Sequence, residues 1–201
     1  IMSLKENYPS PAYYSTLNIM SSHDVERIMT LMGGVPTRHE VDRHYQAAFE
    51  LNGYALETAK KRTRLAMSIA MTMPGVPCLF YGDELGVQGY GDPFCRSCFP
   101  WDSMDAVDPD AKMRNWIKEL IKLRKSSDAF SVGDLECVYS IGYTYGYIRS
   151  TENEKYVIIA NFDNVPRDIR LDVARYGISE LEIALSDECC VRTQHTSSDG
   201  V

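Results

Sequence analysis

The chain has 201 residues, 44% of them hydrophobic and 24% charged, with a net charge of −7. That composition fits a globular protein with a real core, and the acidic balance excludes nucleic acid and anionic membranes as general partners, since both need basic patches. No apolar run approaches the roughly 20 residues needed to cross a bilayer, and the opening Ile1-Met2-Ser3-Leu4-Lys5-Glu6 lacks the basic-then-apolar layout of a signal peptide.

Along the chain, Leu17-Asn18-Ile19-Met20 is a short apolar run ending in the polar cluster Ser21-Ser22-His23-Asp24, with a short helix expected over 25–31. A further helix is expected near residues 41–50. Leu56, Ala59, Thr63, Ala66, Met67, Ala70 and Met73 then fall near helical spacing, with Lys60, Lys61, Arg62 and Arg64 on the other face. Pro74-Gly75 ends that helix, a missing donor followed by a permissive residue. Pro77-Cys78-Leu79-Phe80-Tyr81 is a second apolar run, ending at Gly82-Asp83-Glu84. Continuous apolar runs suit a parallel sheet buried on both faces. Asp108-Pro109 supplies an N-cap and a first-turn proline for a helix whose buried stripe is Met113, Trp116, Ile117, Leu120 and Ile121, with Lys122, Arg124 and Lys125 at its C-terminal end.

From about Asp128 the period changes to two. Tyr143, Tyr145 and Tyr147 alternate with Thr144, Gly146 and Ile148; residues 156–162 form a strand-like run; Ile169, Leu171 and Val173 alternate with polar neighbours. These read as antiparallel strands with one wet face, in a small β-sandwich or half of one. Strand and helix alternating, then strands alone, describe a parallel α/β unit joined to an all-β domain, with the division at 1–128 and 129–201. Two parallel strands with long helices leave sheet edges and helix faces uncovered, and a complete (β/α)₈ barrel needs about 250 residues. The β half stops at Asp199-Gly200-Val201, a turn and the start of another strand. The expectation is a sequence cut at both ends, whose exposed strands drive self-association.

Six cysteines include the C-x-x-C pair Cys95 and Cys98 and the adjacent Cys189-Cys190. No second C-x-x-C or histidine pair completes a zinc spacing, and a redox pair should open a helix, whereas this one lies in a Gly/Pro-rich loop. No metal and no cofactor is expected. Unpaired thiols point to a reducing compartment such as the cytoplasm.

In a barrel the functional face is the C-terminal end of the strands, where both polar clusters lie. Taken alone, Asp24 reads as the cap of the helix that follows, with His23 a satisfied neighbour. Glycoside hydrolysis gives it another use. Two carboxyl groups flank the scissile bond, and a third can hold sugar hydroxyls and stabilise the cationic transition state. Asp83 and Glu84 read as scaffold, since neighbours on a strand point to opposite faces. Trp101 and Tyr90 are candidates for stacking on sugars, Trp101 more readily for packing the barrel rim.

The run from Asn7-Tyr8-Pro9 through Leu17-Asn18-Ile19-Met20-Ser21-Ser22-His23-Asp24-Val25-Glu26-Arg27 resembles the fourth signature region of the α-amylase superfamily, after its seventh barrel strand. Met73-Pro74-Gly75-Val76-Pro77-Cys78-Leu79-Phe80-Tyr81-Gly82-Asp83-Glu84-Leu85-Gly86 resembles the eighth strand. Asp92-Pro93-Phe94-Cys95-Arg96, ending at Phe99-Pro100-Trp101-Asp102, resembles the loop after it in the neopullulanase, cyclomaltodextrinase and maltogenic-amylase branch. The resemblance implies the C-terminal portion of a TIM barrel, strands seven and eight with their helices, followed by a β-sandwich domain. It implies that Asp24 is the catalytic, transition-state-stabilising aspartate and that His23 holds the same sugar. Glu26 falls where the family tunes acceptor-side contacts, and Asp92 and Arg96 where it lines the next sugar on the non-reducing side; the alternative for that pair is an ion pair stapling a long loop. Ser22 departs from the asparagine of many relatives, although serine also occurs in this branch.

No segment matches the family's nucleophilic aspartate or general-acid glutamate, which would lie before Ile1. The implied parent is a retaining α-glucan hydrolase acting on α-1,4 bonds, with α-1,6 bonds and cyclodextrins as further substrates, and the chain alone is expected to be inactive. The alternatives are a 4-α-glucanotransferase of the same fold and a non-catalytic amylase-like binding module.

Overall fold

In the computed structural model, which describes residues 2–108 and 111–187, helices and strands alternate up to residue 125 and strands follow. The elements in order are α1 (Met2–Asn7), α2 (Ser10–Tyr14), β1 (Leu17–Ile19), α3 (Ile28–Met32), α4 (Arg43–Ala48), α5 (Gly53–Thr72), β2 (Val76–Cys78), α6 (Met104–Val107), α7 (Lys112–Lys125), β3 (Asp134–Ile141), β4 (Thr144–Ser150) and β5 (Lys155–Asn161). Residues 1–167 form one unit and residues 168–201 a second. In the second, the described residues hold a 3₁₀ turn, Ala174–Tyr176, closed by Gly177 at φ 69°. The strand expected around Ile169, Leu171 and Val173 does not form there. Alternation alone lacks a partner ladder, and a strand without one leaves its backbone groups unpaired. Pro109, Cys189-Cys190 and the turn at Asp199-Gly200 lie outside the described residues.

β1 and β2 run parallel, Leu17 opposite Val76 and Ile19 opposite Cys78. α5 connects back to β2 through a sharp turn at Gly75. Its φ of 107° is closed to other residues, and a Cβ there would sit 2.5 Å from the Thr16 carbonyl oxygen. Asn18, the one polar residue of β1, donates to the carbonyls of Ala70 and Pro74 at 3.1 Å each and so fixes the strand to the end of α5. The expected burial on both faces is not met: Leu17, Ile19 and Val76 are about half exposed. Two strands with one helix behind them cover only one face. Each apolar side chain left in water forfeits about 1.5–3 kcal/mol. The chain at micromolar concentration is therefore expected to sediment as a dimer or larger assembly built through its N-terminal half. A monomer that binds no hydrophobic dye would contradict this.

α5 is the organising element. Toward its N-terminal part, Met29, Leu51, Ala59 and Met113 form a core joined by Met32, Val35, Phe49, Ala55 and Leu56. At its C-terminal end a second core gathers Met73, Leu135 and Tyr147 with Ile69, Tyr145 and Ile158. The last carbonyls of a helix have no partner within it. Here two arginines supply them: Arg124 of α7 donates to Met71, Met73 and Gly75, and Arg149 of β4 to Thr72. The cap foreseen at Asp108 is present but set back. Its carboxylate accepts from the N–H groups of Met113 and Arg114 at 3.3 and 3.1 Å, because the helix begins only at Lys112.

The three antiparallel strands form one sheet in the order β3-β4-β5, with a bulge between Cys137 and Tyr139. Among the described residues this is a single layer, the half-sandwich of the two alternatives expected. The central strand also departs from the expected wet face: Tyr147, Ile148 and Arg149 are all buried. Tyr147 and Arg149 are drawn in because their polar ends find Thr72, whose hydroxyl pairs with the Tyr147 hydroxyl at 2.5 Å.

Candidate active site

Because β1 and β2 are parallel, the segments leaving their C-terminal ends emerge on the same edge of the sheet. Ligands in α/β proteins bind at that edge. His23 and Asp24 lie on the first segment; Asp92 and Arg96 lie on the second, Arg96 closing a 3₁₀ turn, Phe94–Arg96. The structure brings these four together. Arg96 Nε lies 2.7 Å from Asp92 Oδ1 and donates to the His23 carbonyl at 3.0 Å. Arg96 Nη2 is 3.5 Å from Asp24 Oδ1, and His23 Nε2 is 3.3 Å from Asp24 Oδ2. The Cys95 thiol also donates to the His23 carbonyl, at 3.1 Å; burial pushes that thiol above its ordinary range. Its C-x-x-C partner Cys98 is exposed.

Asp24 does not cap a helix. α3 starts at Ile28 with Arg27 as its N-cap, and the Ile28 N–H goes to Ser21 Oγ at 2.9 Å. The carboxylate is two-thirds exposed, so its charge is presented outward at a strand end beside an imidazole and a guanidinium. Glu26 differs. It is buried, and its Oε1 accepts the Arg38 N–H at 3.3 Å.

Three arginines hold this cluster, two of them, Arg38 and Arg43, outside any motif. Arg38 Nη1 donates to the Asp24 carbonyl at 2.8 Å, and Gly91 leaves room for it, since a Cβ there would lie 2.9 Å from that nitrogen. Arg43 Nη1 donates to the Asp92 carbonyl at 2.9 Å and its guanidinium stacks 4.8 Å from the Phe94 ring centroid. Arg27 lies beneath, fully buried. Arg38 and Arg43 fall in an aperiodic charged stretch, Arg38-His39-Glu40-Val41-Asp42-Arg43. Their partners lie 14 and 49 residues away, which no local pattern reports.

Asp83 lies in a 3₁₀ turn, Asp83–Leu85, and not on a strand as expected; it is buried against Arg27 at 3.6 Å. Burial pushes its carboxyl up to about 6 in spite of that cation. The two aromatic candidates exchange places. Tyr90 is fully buried, its hydroxyl donating to the Pro36 carbonyl at 2.9 Å and its ring edge-on to Tyr45 and Phe49. Trp101, expected to pack, is 72% exposed, its ring 4.4 Å from that of Phe99. A cavity of about 540 Å³ lined by Met71, Pro77, Leu79, Ile121, Arg124 and Ser131, among others, shares no residue with the cluster. Arg124, its half-buried cation, is already occupied by carbonyls, so the polar edge and not this cavity is the candidate site. Among the described residues no group of histidine, cysteine and carboxylate side chains has the arrangement of a metal site.

The edge thus gathers two exposed carboxylates, Asp24 and Asp92, with an imidazole and a guanidinium at the C-terminal ends of two parallel strands. Comparison with known proteins shows what the chain is similar to. Over 155 residues, 77% of the chain, it is 36% identical to an amylopullulanase of Thermoanaerobacter thermohydrosulfuricus, of which it covers 10%. It is 26% identical over 88% of its length to a cyclomaltodextrinase of Geobacillus thermopakistaniensis, covering 26% of that protein. Among solved structures, a debranching enzyme of Nostoc punctiforme matches 79% of the chain with a TM-score of 0.59 and 26% identity, over 27% of its own length. No family model matches the chain. Over about three quarters or more of its length, then, the chain is similar to glycoside hydrolases of the α-amylase family. It spans about a tenth of the length of the amylopullulanases it matches.

Proposed function

We propose that the chain is the part of a retaining α-glucan hydrolase that carries barrel strands seven and eight, here β1 and β2, with the change to the C-terminal β-domain near residue 128. Its branch is that of the neopullulanases, cyclomaltodextrinases and maltogenic amylases. The substrates are α-1,4 and α-1,6 glucosidic bonds of starch, pullulan or cyclodextrins. The carrying observation is the Asp24 carboxylate: exposed, free of any capping duty, and flanked by His23 and Arg96 at the C-terminal end of a parallel strand.

In this reading Asp24 grips hydroxyls of the sugar at the cleavage point and opposes the positive charge that develops on the ring. His23 holds the same sugar, and Asp92 with Arg96 lines the next. Glu26 acts on acceptor-side sugars through the Arg38 backbone it holds. The two carboxyl groups that attack the bond and protonate the leaving oxygen have no counterpart in the sequence of this chain. The chain alone is therefore expected to give no turnover on starch, pullulan or cyclodextrin. An enzyme that includes it is expected to release the α-anomer first, read by proton NMR of the nascent product. A β-anomer, or turnover by the 201-residue chain that Asp24→Asn abolishes, would overturn the reading.

A further inference from the structure

Arg27 and Asp83 form an ion pair sealed from solvent beneath the Asp24 cluster. Burying a charge pair is seldom needed for stability, since well-packed apolar groups do as well. What an arginine alone provides here is a planar fork. Its Nε donates to the Cys95 carbonyl at 2.8 Å and its Nη1 to the Tyr81 carbonyl, while its plane lies 4.2 Å from the Phe80 ring centroid and 4.5 Å from that of Tyr81. Both carbonyls belong to the segment after β2. Arg27 itself belongs to the segment after β1, three residues beyond Asp24, and its backbone N–H donates to the Gly89 carbonyl at 2.9 Å. One side chain thus sets the spacing between the two segments whose meeting creates the site.

We infer that Arg27, held by Asp83, is a positioning residue: by fixing the Cys95 carbonyl it places the adjacent Arg96 where it reaches both Asp24 and the His23 carbonyl. Asp83 is itself fixed by the Phe80 N–H at 3.3 Å and by the Ser21 hydroxyl. Arg27 Nη2 and Asp83 Oδ1 make no hydrogen bond, so charge more than geometry holds the pair together. This inference rests on the reading of Asp24, His23 and Arg96 as the sugar-facing group, but its test needs no sugar and so fails or succeeds separately.

The probe is the Arg96 Nε–H of the nitrogen-15-labelled chain, whose exchange with solvent reports whether its contacts to Asp92 and His23 persist. Asp83→Asn and Arg27→Lys are each expected to speed that exchange roughly fivefold, what the loss of one ordinary net hydrogen bond is worth. Met67→Ala, a cavity in the buried face of α5, lowers stability and is expected to leave the exchange unchanged. Unchanged exchange in both pair variants overturns the inference, and so does an equal rise in Met67→Ala. Should the pair variants fail to fold, the wild-type pair decides the matter through pH. Burial has pushed the Asp83 carboxyl up to about 6, and Arg27 is the charged group facing it. Acidification from pH 7.5 to 5 neutralises Asp83 and releases Arg27. The protection of Arg96 Nε–H relative to free arginine is then expected to fall with the same midpoint as the Asp83 carboxyl carbon signal. His23→Gln is used as background to remove the imidazole facing Asp24. Protection that stays constant across the Asp83 titration overturns the inference.

Discussion

In an enzyme that includes this chain, Asp24→Asn is expected to lower kcat by about 10²–10³ while KM moves no more than a few-fold. Asparagine keeps the shape and the hydrogen-bonding reach of the side chain, so the ground-state sugar is held nearly as before. What is lost is charge, and that matters when the ring becomes cationic. The expectation rests on the surroundings of the carboxylate, which lies beside His23 and Arg96: a preorganised negative group next to a forming cation needs no reorganisation. The same variant is expected to change unfolding free energy by less than about 1 kcal/mol, because the ion pairs Asp24 makes are exposed. Steady-state kinetics on a maltooligosaccharide, with urea denaturation of the chain as the control, checks both halves. A variant within a few-fold of wild type in kcat would mean that Asp24 does nothing for the transition state.

The features that were legible in the sequence are those whose cause is local. The stripe Ala59, Thr63, Met67, Ala70 is a helix face because residues three and four apart meet, and α5 buries it. Pro74-Gly75 stops that helix because one lacks a donor and the other accepts a φ of 107°. His23-Asp24 follows β1 as a polar cluster ending an apolar run, and the C-terminal edge of a parallel sheet is where such clusters meet. The rest depends on contacts far apart in the chain. Nothing near Tyr90 says that Pro36, 54 residues away, will take its hydroxyl. The cap reading of Asp24 failed because Ser21, the first residue of the same polar cluster, takes the Ile28 N–H. The burial of strands β1 and β2 was misjudged because an apolar run reports what a segment needs, not what the chain supplies.

Arg149→Met is expected to destabilise the chain by about 2–4 kcal/mol, the largest stability effect of any single change to a polar residue of the sheet. The side chain is fully buried and, among the described residues, has no carboxylate partner. It donates instead to three carbonyls, Thr72 at the end of α5, Gly133 at 3.0 Å and Asp134 at 3.3 Å. Burial accordingly pulls its guanidinium down to about 10, so the charge itself is a cost that methionine removes. Two effects therefore oppose each other. Methionine fills much of the volume and relieves the desolvated charge, but it takes the arginine donors from the Thr72 and Asp134 carbonyls and leaves Gly133 with the Tyr14 hydroxyl alone, at 3.3 Å; a buried acceptor left unpaired costs about 1–3 kcal/mol. The acceptors outnumber the single relieved charge, and Arg124 cannot replace the lost donor because its own nitrogens are engaged by Met71, Met73 and Gly75. The same side chain joins β4 to the last turn of α5, so its loss should also split one unfolding transition into two, the sheet opening before the helices. Urea denaturation followed by tyrosine fluorescence, for the sheet, and by far-ultraviolet circular dichroism, for the helices, reads both effects. Coincident transitions at an unchanged midpoint would show that the carbonyls of Thr72, Gly133 and Asp134 find other donors, and that Tyr147 with Thr72 is sufficient to hold sheet and helix together.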